Sequence, residues 1–206
     1  MNDTIFLAIN AGASPPDVIL PLARLIAVWA VPAAIVLFLV LWVRGTTANR
    51  GALMAATLVM VAGLIINFLI GFAYFHPRPF MEGLGHQYLA HAPDGSFPSD
   101  HATFLWSLGF ALIVLGRLRA WAVLLVVGGL GVAWARVYLG VHFPFDMLGS
   151  LIVSLIVCCS ARPFERAISG RILPMAQGTY DVLITAFRLP PTLFPRCSER
   201  PRRVTD

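Results

Sequence analysis

The sequence predicts an all-α protein, a polytopic membrane helix bundle of about five spans plus a short N-terminal interfacial helix. Hydrophobic residues make up 58% of the 206-residue chain and charged residues only 12%, against about 25% charged in soluble domains. The mean hydropathy is +0.80. Apolar stretches of spanning or near-spanning length, about 20 residues each, follow one another with short polar segments between them.

The N-terminus lacks a basic region and contains Pro15 and Pro16, so it does not read as a secretory signal. Ile5 to Ile9 is too short to span and is expected to lie in the interface. The first span runs from about Leu20 to Val43 and includes Pro32, which membrane helices tolerate. A basic turn, Arg44 to Arg50, leads to the second span, about Leu53 to Phe75. A long polar interval, residues 76–99, carries the turn signals Pro93-Asp94-Gly95 and Pro98-Ser99-Asp100. The third span covers about His101 to Gly116, and Arg117-Leu118-Arg119 turns into the fourth, about Trp121 to Leu139. Gly140 to Pro144 links to the fifth, about Phe145 to Cys159. Residues 1–160 form a single membrane domain in this reading, and 161–206 an Arg- and Pro-rich tail whose segment Ile172 to Phe187 rests on the membrane. Trp106, Trp121 and Trp134 are expected to pack or anchor.

All 15 basic residues are Arg, and the net charge is +5. Nucleic-acid binders gather such charge on one soluble face; here it sits in the segments between apolar runs, which excludes that class. The positive-inside rule places the Arg44–Arg50 turn, the Arg117–Arg119 turn and the tail in the cytoplasm. Residues 76–99 and 140–144 then face outward, and Arg24 is the exception. Cys158, Cys159 and Cys197 have no disulfide or zinc-site spacing and read as free thiols.

Three polar clusters fall at the outer helix ends: Arg78-Pro79, Pro98-Ser99-Asp100-His101, and Arg136 with His142 and Asp146. Two guanidinium groups offer forks of donors that match phosphate oxygens. Ser99 precedes a helix N-terminus, whose free N–H groups and dipole favour an anion. Asp146, four residues after His142 and in the first turn after Pro144, can orient one imidazole nitrogen and leave the other for a substrate. His101 is a second imidazole, available as a general acid. Phosphoryl transfer needs chiefly positioning and charge stabilisation, and this set supplies both without a metal or other cofactor.

The three clusters resemble the type 2 phosphatidic acid phosphatase superfamily, which also includes vanadium-dependent haloperoxidases. Its pattern is KxxxxxxRP, PSGH and SRxxxxxHxxxD. The resemblance covers about residues 53–160, and the third motif, intact in order and spacing, is its specific part. Three positions depart: Gly71 stands for the Lys, Asp100 for the Gly, and Ala135 for the Ser. His76 to Phe80, Ser96 to His101 and Arg136 to His142 look like the bacterial undecaprenyl-diphosphatase subgroup, associated with bacitracin resistance. The resemblance implies a phospho-histidine at His142, leaving-group protonation by His101, and phosphate binding by Arg78, Ser99 and Arg136. It also implies a polyprenyl diphosphate substrate, recycling of the cell-wall lipid carrier, and a site on the outer face of the inner membrane.

Glu82 beside the Arg78 motif and Asp100 before His101 are further candidates, each open to a bland reading as a solvated loop acid or a helix cap. His76, His86 and His91 fit no standard metal spacing and read as loop residues. Competing readings are a phosphatase for phosphatidic acid, phosphatidylglycerol phosphate or a lipid A phosphate, a haloperoxidase, and a channel or transporter. The many spans argue against a water-soluble haloperoxidase, and a channel would not require the third motif. Oligomeric state is not legible.

Overall fold

A computed structural model describes residues 1–197. Its elements are α1 (Asn2–Ile9), α2 (Ile19–Arg44), α3 (Thr47–Ala73), α4 (Asp100–Leu115), α5 (Arg119–Tyr138), α6 (Pro144–Val157), α7 (Ala161–Ser169) and α8 (Ile172–Ala186), with short 3-10 turns at Pro79–Glu82 and Cys158–Ser160. The described residues contain no strand.

Helices α2, α3 and α5, and the run from α6 through α7, are long and apolar enough to cross a membrane. Helix α4 is apolar but has only 16 residues, about 24 Å of rise. The five expected spans are therefore four full-length candidates and a shorter central helix, the third, whose expected bounds of about His101 to Gly116 match α4 closely. α4 packs against α2, α3, α5 and α6. A helix walled in by protein meets few lipid tails, so bilayer thickness does not set its length.

The packing is that of a membrane bundle. α2 buries only Ala23, Ala27 and Ala34 and leaves Leu25, Trp29, Val36 and Leu39 exposed. Small residues bring backbones close where no hydrophobic effect separates protein from lipid. Buried hydroxyls bond across helices, as in Ser107 Oγ donating to Ser154 Oγ at 3.1 Å.

Two boundaries differ from those expected. α3 begins at Thr47 rather than Leu53, because Thr46 accepts the Asn49 N–H at 3.3 Å and caps the helix. Arg50 is therefore helical and buried, donating to the carbonyls of Trp42 at 2.8 Å and Val43 at 3.2 Å. The last apolar helix does not stop at Cys159 but resumes as α7 after the 3-10 turn.

The N-terminal segment, residues 76–99 and residues 139–143 meet at one end of the bundle. Asn10 Nδ2 donates to the carbonyls of His86 and Tyr138, each at 3.0 Å. The Tyr88 N–H donates to Leu139 O at 2.9 Å. Gly140, at φ +78°, presses on the His86 carbonyl, where a Cβ would collide. Arg24, the exception to the charge rule, donates from Nε to Tyr88 O at 3.0 Å and clips this layer to α2.

Candidate active site

Arg78 follows α3 on extended backbone and is almost fully buried. Its guanidinium donates to Asp94 Oδ1 at 2.8 Å, Val141 O at 2.7 Å and Gly95 O at 3.0 Å. One residue thus ties the polar interval to the link before α6. Its Nη1 also lies 3.1 Å from His142 Nε2.

His142 is 2% exposed. Its Nδ1 lies 3.2 Å from Asp146 Oδ2, which also accepts the Phe143 N–H at 2.8 Å. That second bond caps α6 and fixes the carboxylate. A guanidinium can only donate and an ionised carboxylate can only accept. Both neighbours therefore specify one tautomer, with the proton on Nδ1 and the lone pair on Nε2. Burial, reinforced by the Arg136 and Arg78 charges and then by His91 and His101, holds the His142 pKa well below the ordinary histidine range.

Ser99 and Arg136 complete the pocket from α4 and α5. Ser99 is fully buried, and its N–H donates to Ser150 Oγ at 2.8 Å. Ser150 Oγ also stands 2.9 Å from Asp146 O, so α6 and the start of α4 share one hydroxyl. The Ser99 hydroxyl and Arg136 Nε are buried without a hydrogen-bond partner. Buried orphan donors are expensive, and a hydroxyl and a guanidinium N–H are groups that an oxyanion pairs with. His101, on the first turn of α4, is half-buried in the same electrostatic cluster as Arg136, His91 and Arg78.

The structure therefore gathers Arg78, Ser99, His101, Arg136, His142 and Asp146. It does not recruit Glu82, which is exposed and, among the described residues, forms no ion pair. The acid beside Arg78 is Asp94, which the sequence marked only as a turn residue. Asp100 is exposed and accepts from Asn67 Nδ2 at 2.9 Å. Asn67, a buried amide in the apolar run of α3, was missed, although a lone polar residue in a span is itself a signal. A Cβ at Gly71 would meet only the Phe97 carbonyl, at 3.9 Å, an ordinary contact. Asn67 and Asp100 make a polar contact between α3 and the first turn of α4. Ser150 was missed as well; small hydroxyls in apolar helices carry little signal.

Of the loop histidines, His91 stands with its ring 6.4 Å from that of His142. Burial, then Arg78, lowers its pKa. Trp106 is buried in the core as expected, its indole N–H donating to Val126 O at 3.2 Å.

The profile of the PAP2 superfamily matches residues 52–167. The chain belongs to the PAP2 superfamily. It is 35% identical over 190 residues to the putative undecaprenyl-diphosphatase YbjG of Escherichia coli, covering 92% of this chain and 94% of that one. It is 37% identical over 157 residues to the undecaprenyl-diphosphatase BcrC of Bacillus subtilis, covering 76% and 80%. The crystal structure of Aquifex aeolicus LpxE shares the fold, with a TM-score of 0.63 at 16% identity, over 78% of this chain and 93% of that one.

Proposed function

We propose that this membrane phosphatase hydrolyses a polyprenyl diphosphate, undecaprenyl diphosphate above others, to the monophosphate. His142 Nε2 attacks the terminal phosphorus as the bridging P–O bond breaks. The bond's electrons leave on the polyprenyl phosphate oxygen, which takes a proton from His101. Water then attacks the phospho-histidine, giving its proton to His101 and releasing inorganic phosphate with Nε2 restored. Arg78, Arg136 and Ser99 hold the equatorial oxygens, and Asp146 stabilises the positive charge on the ring.

The observation that carries this reading is the single tautomer imposed on His142. Its lone pair points at Arg78, beside orphan donors from Ser99 and Arg136. The two undecaprenyl-diphosphatase relatives, matched over most of their length, support the substrate. The placement of Arg supports a site facing outward from the inner membrane, where the product would re-enter cell-wall synthesis.

The test is phosphate release from undecaprenyl diphosphate by detergent-purified protein with EDTA present. We expect release, lost by on the order of 10³-fold or more in His142→Ala. Loss on chelation, restored by a divalent cation, would overturn the metal-free mechanism. Release from phosphatidic acid alone would move the substrate.

A further inference from the structure

Past the catalytic cluster, toward the Arg44–Arg50 turn, the bundle is not closed. Among the described residues, none of α2 beyond Ala34 is buried, so the second half of that helix stands away from its neighbours. A groove of about 360 Å³ lies there, walled by Ala34 and Phe38 of α2, Met54 and Met60 of α3, and Phe104 and Leu108 of α4. That volume falls within the roughly 300–1,000 Å³ of ligand sites. Along α2 the groove extends from Ala34 to Trp42, about 12 Å of helix. Exposed Ile35 and Leu39 also line it, so it opens towards lipid. The Thr57 hydroxyl in its lining donates to Leu53 O at 2.9 Å and offers no hydrogen to a guest.

The groove and the cluster share a helix face. His101, Phe104 and Leu108 sit at i, i+3 and i+7 of α4, positions that line up on one side of a helix. Phe104 is about 4.5 Å along the axis from His101. The proposed reaction fixes which part of the substrate points that way. In an in-line displacement the leaving oxygen stands opposite the nucleophile, and here it belongs to the polyprenyl phosphate that His101 protonates. We propose that the groove between α2, α3 and α4 is the seat of the substrate's isoprenoid tail, entered from the His101 face. This rests on the lipid-diphosphatase reading. Lipid and groove are equally apolar, so the tail gains little by leaving one for the other; it gains from close contact. Met54 and Met60 adapt to a methyl-branched chain, and Phe38 and Phe104 offer flat faces to its double bonds. Contacts made along the tail would align the phosphates, as remote binding does for a reacting centre.

The test compares kcat/KM for undecaprenyl diphosphate with that for geranyl diphosphate, whose tail is short enough to end near Phe104. Thr57→Phe fills the groove from an exposed position of α3 and should lower the long-to-short ratio on the order of tenfold. Val36→Phe, exposed on α2 but outside the groove, should leave the ratio at its wild-type value. A ratio unchanged in Thr57→Phe, or lowered as much in Val36→Phe, overturns the proposal. A second measurement uses the wild type. A non-hydrolysable prenyl diphosphonate with a diazirine on its tail should label the groove segments of α2 and α3. The same compound without the diazirine should suppress that labelling, and phosphatidylglycerol should not. Suppression by both alike makes the groove an ordinary lipid contact and overturns the proposal. Turnover of undecaprenyl diphosphate without groove labelling overturns it too, and leaves the activity standing. Labelling suppressed only by the diphosphonate, in a protein that turns over no prenyl diphosphate, upholds the tail site and sinks the substrate reading.

Discussion

A histidine is a nucleophile only as a neutral ring with its free nitrogen turned toward the electrophile. Arg78 and Asp146 impose that state on His142 from opposite sides. The cost is a buried imidazole beside two cations, which resists protonation. The sign of the pH effect follows: activity should persist as pH falls through the ordinary histidine range, and its acid limb should lie below about 6.5. A kcat/KM profile with that limb at or above 6.5 would contradict the environment described. At Arg136, loss of the guanidinium removes a donor aimed at developing charge. Arg136→Ala should cost on the order of 10²–10³-fold in kcat/KM, and Arg136→Lys most of that, because a point charge lacks the fork. Residues of this kind were legible in the sequence because their chemistry demands fixed types at fixed spacing. Asp94 and Asn67 were not, since a loop acid and a lone amide are each consistent with many environments until tertiary contacts choose one.

Among the elements, the start of α4 is held to α6 through Ser150. Its hydroxyl lies between Ser99 and Asp146, the proposed phosphate ligand and the residue proposed to orient the nucleophile. Ser150→Ala keeps nearly the same volume but leaves the Ser99 N–H unpaired, at about 1–3 kcal/mol. We expect a fall in kcat larger than the loss of thermal stability, measured by paired turnover and unfolding experiments. Helix α1 does more than rest at an interface. Phe6 is fully buried and packs edge-on against Phe143, the neighbour of the nucleophile, with centroids 5.3 Å apart. Phe6→Ala should loosen that link and lower activity while the spanning helices stay folded, read as lost protection of the His142 segment in hydrogen exchange. The spans themselves were legible to within a few residues because hydropathy is summed over long windows. Their ends were less so, since the Thr46 cap and the continuation beyond Cys159 depend on single hydrogen bonds and on what packs alongside.

For the whole molecule, apolar side chains face outward and small or paired polar ones inward, which fits a lipid solvent. The catalytic cluster lies at one end, and Arg50, Arg117 and Arg119 lie towards the other. If the charge rule orients the protein as proposed, a cysteine placed at exposed Glu82 should react with an impermeant maleimide in intact cells, and one at exposed Arg117 only after lysis. The reverse pattern would put the site in the cytoplasm. Fold class was legible from composition alone. The central place of α4 was not, because nothing in an apolar run states whether its neighbours will be lipid or protein.

The hydrogen bond from Arg78 to His142 Nε2 has a further consequence. It occupies the lone pair that the proposed attack requires. A neutral electrophile offers the guanidinium nothing in exchange and finds the nitrogen masked. A phosphate oxygen competes for the same hydrogens and uncovers it on arrival. The resting enzyme is thus latched, and the key is negative charge.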